Sequence, residues 1–494
     1  MIEETSTQDI DRRIQMAAEA FQFLKNTTIS ERAEFMNAVA DQIEALGEEL
    51  LTVTHAETSL PLARLTGEKA RTVGQWRSYA KAVAAGIYTE ARIDLARPEK
   101  QKGDLRKYNV GIGPVVVFGA SNFPYAFSTA GGDTASAIGA GCPVIIKAHP
   151  AHPQTSQIMA DAITTVVKAF GWPEGIFSHI TGTSYEIGTY LTQHPDIRAV
   201  AFTGSFTGGK ALFDIASRRK DPIPVFAEMG SINPVFAFQN LLETKAEALA
   251  KEYITSLTLG VGQFCTNPGV FIGLKGNPLD RFINALKEEI QETTPAKMLH
   301  KGIFESFEKN KSIAIEQPDV ELIASAETES SSGNATVIKT SAKNFINNPV
   351  LSEEVFGPFG IVVECETEKE LMEIARQLKG QLTITIAATH VDVRDNNALI
   401  TVLKDKCGRL LFNGMPTGVE VVYGMQHGGP FPSTTDSRFT SVGPDAVKRF
   451  VRPISFQNWP DEFLPDELKN ENPLQISRMV DGIMNSESLK LQTT

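Results

Sequence analysis

Of the four cysteines in the chain, one stands in a setting suited to reaction. Gly260-Val-Gly-Gln-Phe-Cys265-Thr-Asn-Pro follows a helical segment and sets a thiol among glycines, where backbone can approach a ligand closely. That suits an exposed nucleophile, whereas the ordinary fate of a free cysteine is burial as a small apolar side chain. Partners must therefore be sought. In Phe226-Ala-Glu228-Met-Gly-Ser-Ile-Asn233-Pro a single carboxylate sits among apolar and small residues. Burial of Glu228 is expected to raise its pKa toward neutrality and let it take a proton from water; the plainer reading is a surface or domain-boundary acid. Phe118-Gly-Ala-Ser-Asn122-Phe-Pro124 ends an apolar run and offers the Asn122 amide N–H to an oxyanion, though Asn before an aromatic-Pro pair is equally a turn former. His427, in Gly424-Met-Gln-His427-Gly-Gly-Pro, either tunes protonation beside the thiol or fastens its loop by hydrogen bonds.

These residues need elements to hold them. The first hundred residues read as helical, with Thr28-Ile-Ser-Glu31 as a capping box followed by Phe35, Val39, Ile43 and Leu46 at helical spacing. After Gly113, short apolar runs at 115–118, 144–147, 176–180 and 199–202 alternate with helical stretches at 125–140, 155–169 and 208–218. This βαβαβαβ order predicts a parallel sheet with its ligand beyond the carboxyl ends of the strands, which carry Gly119, Asn122, Lys147, Thr181, Gly182, Thr203, Gly204 and Ser205. A second α/β region begins near Pro234, with a helix at 246–259 and strands near 270–273, 359–363 and 382–387. Residues 327–334 are polar and aperiodic and read as a loop; 449–457 read as a strand; 461–494 form a polar tail with one amphipathic stretch at 474–484. Phe123, Tyr125, Phe127, Phe264 and the Val421-Val-Tyr423 run line an apolar mouth or simply pack.

Composition excludes several functions. A formal charge of −12 and a pI near 5.3 disfavour nucleic acid and anionic membranes, which are held by excess Lys and Arg. No apolar run approaches the roughly 20 residues that cross a bilayer, and the first residues are acidic, so a cytoplasmic protein is expected. No Cys-x-x-Cys pair occurs, so the thiols should be reduced; His149 and His152 lack further ligands at metal spacing, so no metal is expected.

Asn122-Phe-Pro, Lys147, Phe202-Thr-Gly-Ser205, Glu228-Met-Gly, Gln263-Phe-Cys265 and Glu353-Glu-Val-Phe-Gly-Pro358 stand in an order and spacing that closely resemble the aldehyde dehydrogenase superfamily over nearly the whole chain. The resemblance implies an α/β fold with a Rossmann-type cofactor domain (1–90 and 111–233), an α/β catalytic domain (234–447) and a small oligomerisation element (91–110 and 448–494). It implies a Cys265 thiohemiacetal whose oxyanion meets the Asn122 amide, and a thioester hydrolysed by water that Glu228 activates. Lys147 would contact the adenosine ribose, Thr203, Gly204, Ser205 and Gly209 the pyrophosphate region, and Glu354 with Phe356 the nicotinamide ribose and ring. Phe123, Phe264 and Tyr423 are candidate substrate contacts.

Pro150 stands where many NAD-preferring members place an acidic residue, which implies NADP use at least comparable with NAD, with His149, Thr155 or Lys210 as helpers. Gly424-Met-Gln-His427-Gly-Gly-Pro-Phe-Pro432, with Ala130-Gly-Gly-Asp-Thr134, resembles the subgroup of α-ketoglutaric semialdehyde (2,5-dioxopentanoate) dehydrogenases and an NADP-dependent fatty aldehyde dehydrogenase. The first substrate is preferred on that resemblance, the second is the alternative, and a cysteine-dependent esterase is a remote one. The 449–457 strand implies a homodimer or homotetramer.

Overall fold

The computed structural model describes residues 3–327 and 331–489. The chain opens with α1 (Thr7–Leu24), α2 (Ile29–Ala45), α3 (Glu48–Thr58) and α4 (Leu62–Ala84). The capping box at Thr28 and Glu31 forms as expected and starts α2, whose Phe35, Val39 and Ile43 are fully buried against α4 and the first sheet. Two short strands, β1 (Arg92–Asp94) and β2 (Leu105–Gly111), follow.

The first sheet comprises β3 (Val115–Phe118), β4 (Val144–Lys147), β5 (Phe177–Ile180), β6 (Ala199–Thr203) and β7 (Val225–Glu228), all parallel, in the order β5-β4-β3-β6-β7. Its crossovers carry α5 (Gly132–Gly139), α6 (Pro153–Ala169), α7 (Tyr185–Gln193) and α8 (Phe206–Ser217). Register aligns Phe118 with Lys147 and Phe202, and Thr203 with Glu228, so the polar strand ends share one rim. Four of these strands match the sequence reading; β7 and α7 escaped it. The helix expected at 125–140 is a correction, because only 132–139 are helical. The Tyr125 and Ala126 amides are drawn instead to the buried Glu68 carboxylate, at 2.8 and 3.0 Å, and Gly131 and Gly132 make the turn that follows. The strand expected from residue 176 begins one later, Ile176 closing a 3₁₀ turn.

The second sheet contains β8 (Val235–Ala237), β9 (Val270–Leu274), β11 (Val320–Ser325), β13 (Thr336–Ser341), β14 (Phe359–Cys365), β15 (Gln381–Ala387) and β16 (Cys407–Phe412), in the order β11-β13-β14-β9-β8-β15-β16. Only β11, at its edge, runs antiparallel. Helix α9 (Gln239–Thr258) joins β8 to β9. The segment read as loop at 327–334 needs correction: Ser332–Gly333 pairs as β12 with β10 (Ala296–Lys297), and Asn334 is fixed by its amide to Ser325 and Ala326. Residues 328–330 lie outside the described residues.

A third sheet runs β17-β2-β1-β18-β19, with β17 (Val451–Gln457) on β2 and a tight hairpin of β18 (Arg478–Val480) and β19 (Ile483–Asn485) on β1. The expected strand at 449–457 is present from Val451. The tail is largely ordered around the fully buried Arg478; residues 490–494 lie outside the described residues. One parallel sheet, one parallel but for its edge strand, and a small third one make the α/β class expected from the sequence. Among the described residues no helix is long and apolar enough to cross a membrane.

Candidate active site

Cys265 owes its position to three consecutive left-handed residues. Gly260, Val261 and Gly262 have φ of 56°, 59° and 64°, which ends α9 and folds the chain back on itself. A Cβ on Gly262 would lie 2.3 Å from the Gly357 carbonyl carbon, so glycine alone fits there. Val261, a β-branched residue in that region, stores strain beside the thiol. The loop is then pinned: Asn233 donates its amide to the carbonyls of Cys265 and Asn267, each at 2.9 Å, and the Asn267 amide reaches the Gly357 carbonyl at 3.0 Å. Cys265 is partly exposed, and its Sγ has a defined setting.

Glu228 arrives as the last residue of β7, and His427 on the loop paired alongside, where Glu228 bridges Thr434. His427 Nε2 lies 3.5 Å from Cys265 Sγ and 2.9 Å from Glu228 Oε1, and Ser441 Oγ donates to Glu228 Oε2 at 2.6 Å. The carboxylate oxygen and imidazole nitrogen are close, but the contact is too far off the N–H direction to count as a hydrogen bond, and Oε1 has no other partner. The loop-fastening role belongs to the His427 backbone, whose N–H donates to Thr440 Oγ1 and whose carbonyl accepts from Ser441 N–H. The ring is free to face the thiol.

The expected upward displacement of the Glu228 pKa is overturned. Burial does push it up, but the His427 imidazole 2.9 Å away and the hydrogen bond from Ser441 outweigh that and hold Glu228 below the usual carboxylate range. The Cys265 thiol moves the other way: burial, then the Glu228 carboxylate, push it well above its ordinary value, with Arg71 opposing. The resting pair is therefore thiol and carboxylate. Glu228, Cys265 and His427 bring one oxygen, one sulfur and one nitrogen within 4.8 Å of one another.

Asn122, just past β3, turns its amide to the Gln263 carbonyl at 3.1 Å, which brings it to the cysteine loop. Phe123 and Phe264 meet edge to face at 5.3 Å, and Phe127 joins Phe123 at 5.3 Å, so the aromatic cluster is real on that side. Tyr423 is 52% exposed.

On the other side, a groove of about 990 Å³ runs past Ser205, Gly230, Ser231 and Glu354. Ser205 caps α8, accepting from Gly208 N–H, and Thr203 Oγ1 is buried without a partner. A Cβ on Gly230 would lie 2.4 Å from Glu354 Oε2, and one on Gly209 2.7 Å from the Met229 side chain. Burial pushes Glu354 up to about 7. Phe356 lines a small pocket together with Glu354 and Phe264. An orphaned hydroxyl, a capped helix start and a glycine-lined wall fit a dinucleotide. Lys147 sits at the end of β4 on the same rim. Two of the expected helpers toward a 2′-phosphate are engaged elsewhere: Thr155 is fully buried and donates to Glu57 Oε2 at 2.6 Å, and Lys210 is paired with Asp214 at 2.6 Å. His149 is held neutral by burial beside His152, His300 and Lys147.

Sequence reasoning missed Ser441, Asn233, Arg64 and Arg71. Only the arginines carried a signal, since with Glu68 they recur at i, i+4 and i+7 on α4.

A cysteine flanked by a carboxylate and an imidazole at the rim of a parallel α/β sheet is the constellation of an enzyme that works through a thiol. The aldehyde dehydrogenase family profile matches residues 1–453, and the chain belongs to that family. It is 46% identical over 480 residues to α-ketoglutaric semialdehyde dehydrogenase 2 of Azospirillum brasilense, covering 96% of this chain and 91% of that one. It is 43% identical over 490 residues to α-ketoglutaric semialdehyde dehydrogenase of Acinetobacter baylyi, covering 98% and 93%. Its fold matches betaine aldehyde dehydrogenase of Staphylococcus aureus in complex with NAD+ with a TM-score of 0.79 at 19% identity, over 93% of this chain and 90% of that one. The family uses NAD(P), and the chain is an NAD(P)-dependent oxidoreductase acting on an aldehyde.

Proposed function

We propose that the enzyme oxidises 2,5-dioxopentanoate to 2-oxoglutarate. The observation that carries the chemistry is the Cys265, His427 and Glu228 cluster; the substrate rests on the two relatives of that name, which match nearly end to end and disfavour the fatty aldehyde alternative.

Cys265 Sγ attacks the aldehyde carbon once its proton has passed toward the His427 and Glu228 pair. The oxyanion that forms on the former carbonyl oxygen accepts from the Asn122 amide and the Cys265 backbone N–H. The bound dinucleotide supplies the two-electron acceptor. Ser205 and the start of α8 would hold its pyrophosphate, Lys147 and Glu354 would hold its ribose hydroxyls, and Thr203 would line the wall between them. The resulting thioester on Sγ is attacked by water whose proton Glu228 takes; Ser441 keeps the carboxylate aimed, and the acid leaves with Cys265 regenerated.

Both NAD and NADP are accepted, because Pro150 removes a carboxylate from the ribose site whereas the engaged Thr155 and Lys210 add no grip on a 2′-phosphate. Strand β17 lies at the open edge of the third sheet, which supports a homodimer or homotetramer joined there, and the free thiols support a cytoplasmic setting. The test is cofactor reduction by the purified protein with 2,5-dioxopentanoate, short uncharged aldehydes and long-chain aldehydes, each with NAD and NADP, compared by kcat/KM. A higher value for a long-chain aldehyde overturns the substrate.

A further inference from the structure

Arg64 and Arg71 project from α4 two helical turns apart, each with a buried guanidinium nitrogen, Nη1, that has no hydrogen-bond partner. Leaving such a donor unpaired is costly. Arg64 Nη2 donates to the Asn122 carbonyl at 2.6 Å, while its Cζ lies 5.0 Å from the Phe123 ring and 4.9 Å from the Phe264 ring. It is therefore held between the residue beside the oxyanion donor and the residue beside the nucleophile. Arg71 lies over Phe127 at 5.2 Å, and Phe127 in turn meets the His427 ring at 6.1 Å.

The aromatic faces cover the flat sides of the guanidiniums and exclude water, which leaves their edges as the polar feature of an otherwise apolar wall. Glu68, between them on α4, gives one carboxylate oxygen to the Tyr125 and Ala126 amides, and its other oxygen is hydrogen-bonded to neither guanidinium. Glu228, whose Oε2 accepts from Ser441, also faces Arg71. Arg64 reaches Asn122 and Phe264, and Arg71 lies against Phe127 beside the His427 ring, whereas the groove lined by Ser205 and Glu354 includes no residue of α4.

We propose that Arg64 and Arg71 form the subsite for a carboxylate at the far end of the aldehyde, so that the enzyme selects short oxo acids over uncharged aldehydes of equal length. This rests on the dehydrogenase reading above and specifies how it chooses its substrate. A carboxylate there supplies the missing acceptors to Nη1 of each arginine, while the carbonyl at the other end reaches Sγ.

The experiment measures kcat/KM for 2,5-dioxopentanoate and for pentanal with the wild type, Arg64→Gln, Arg71→Gln and the double variant. The ratio of the two values should fall about 10- to 100-fold in each single variant, mainly through KM for the acid. Arg64→Lys, which keeps the charge, should recover part of the ratio, and glutarate should compete with substrate in the wild type but not in the double variant. If the variants lose both substrates equally, the arginines serve packing or the thiol and the assignment is overturned while the dehydrogenase reading stands. If the wild type reduces cofactor with pentanal as efficiently as with the acid, the substrate reading and the subsite both fall. If neither aldehyde reduces cofactor, the dehydrogenase reading itself falls.

Discussion

Glu228 Oε1 lies 2.9 Å from His427 Nε2, with both side chains sealed from solvent. In the proposed mechanism the contact couples the base of the second chemical step to a group that also touches the nucleophile. Because His427 holds the Glu228 pKa down against burial, its removal leaves burial unopposed and the pKa rises. His427→Asn should therefore move the acid limb of the kcat profile to higher pH and reduce kcat/KM by about 10²- to 10⁴-fold. A pH–rate profile superimposable on the wild type would reduce His427 to a loop fastener.

The same charge acts on Cys265 with the opposite sign. The Glu228 carboxylate stabilises the neutral thiol, so reactivity grows as pH rises and the proton is lost. Glu228→Gln removes that charge and should shift the pH dependence of Cys265 alkylation by iodoacetamide to lower pH. Deacylation should fail in the same variant, giving a single burst of reduced cofactor followed by a slow phase. Steady turnover at the wild-type rate would assign the water-activating role to another residue.

Much of this site was legible in the sequence, for a physical reason. Cys265, Asn122 and Lys147 sit at strand or helix ends where glycine and turn residues mark the chain, and four strands of the first sheet read as continuous apolar runs because both their faces are covered. Less legible were features decided by contacts distant in sequence. The helix expected at 125–140 lost its first turns to Glu68, 57 residues from Tyr125. The pKa direction of Glu228 was misread because burial was visible and the approach of His427 and Ser441 from far along the chain was not. Ser332–Gly333 pairs with a strand that no local pattern announces.

Asn122 donates one amide N–H to the Gln263 carbonyl, and in the proposed mechanism the other meets the substrate oxygen. Asn122→Ala should lower kcat by about 10²- to 10³-fold, since a single oxyanion donor is removed. Asn122→Asp, which also adds a negative charge at the site, should be worse. Equal loss in the two variants under steady-state assay would point to loop collapse instead of oxyanion binding, and circular dichroism melting would separate the two.

Gly262 tests the strain around the nucleophile. Alanine there would need φ near 64° and place a methyl group 2.3 Å from the Gly357 carbonyl carbon, against backbone that cannot swing away. Gly262→Ala should destabilise the fold by more than about 1 kcal/mol and displace the thiol. A lowered Tm together with slowed alkylation of Cys265 is the expected pair of readings; Gly47→Ala, where nothing lies within 4 Å of the added methyl, provides the control.

Glu354 connects the cofactor to pH. Burial raises its pKa to about 7, so near neutrality a large share of the free enzyme carries it protonated, whereas ribose hydroxyls donate best to the carboxylate. Binding then favours the ionised form: affinity for the dinucleotide should rise as pH increases through about 7 and level off above it, with protons released on binding below that point. Calorimetric titration in buffers of different ionisation enthalpy measures both the affinity and the proton count. Glu354→Gln, which cannot titrate, should bind more weakly above pH 7 and show a flat dependence. If the slope and the proton release persist in that variant, the linked group is another one and Glu354 does not hold the ribose.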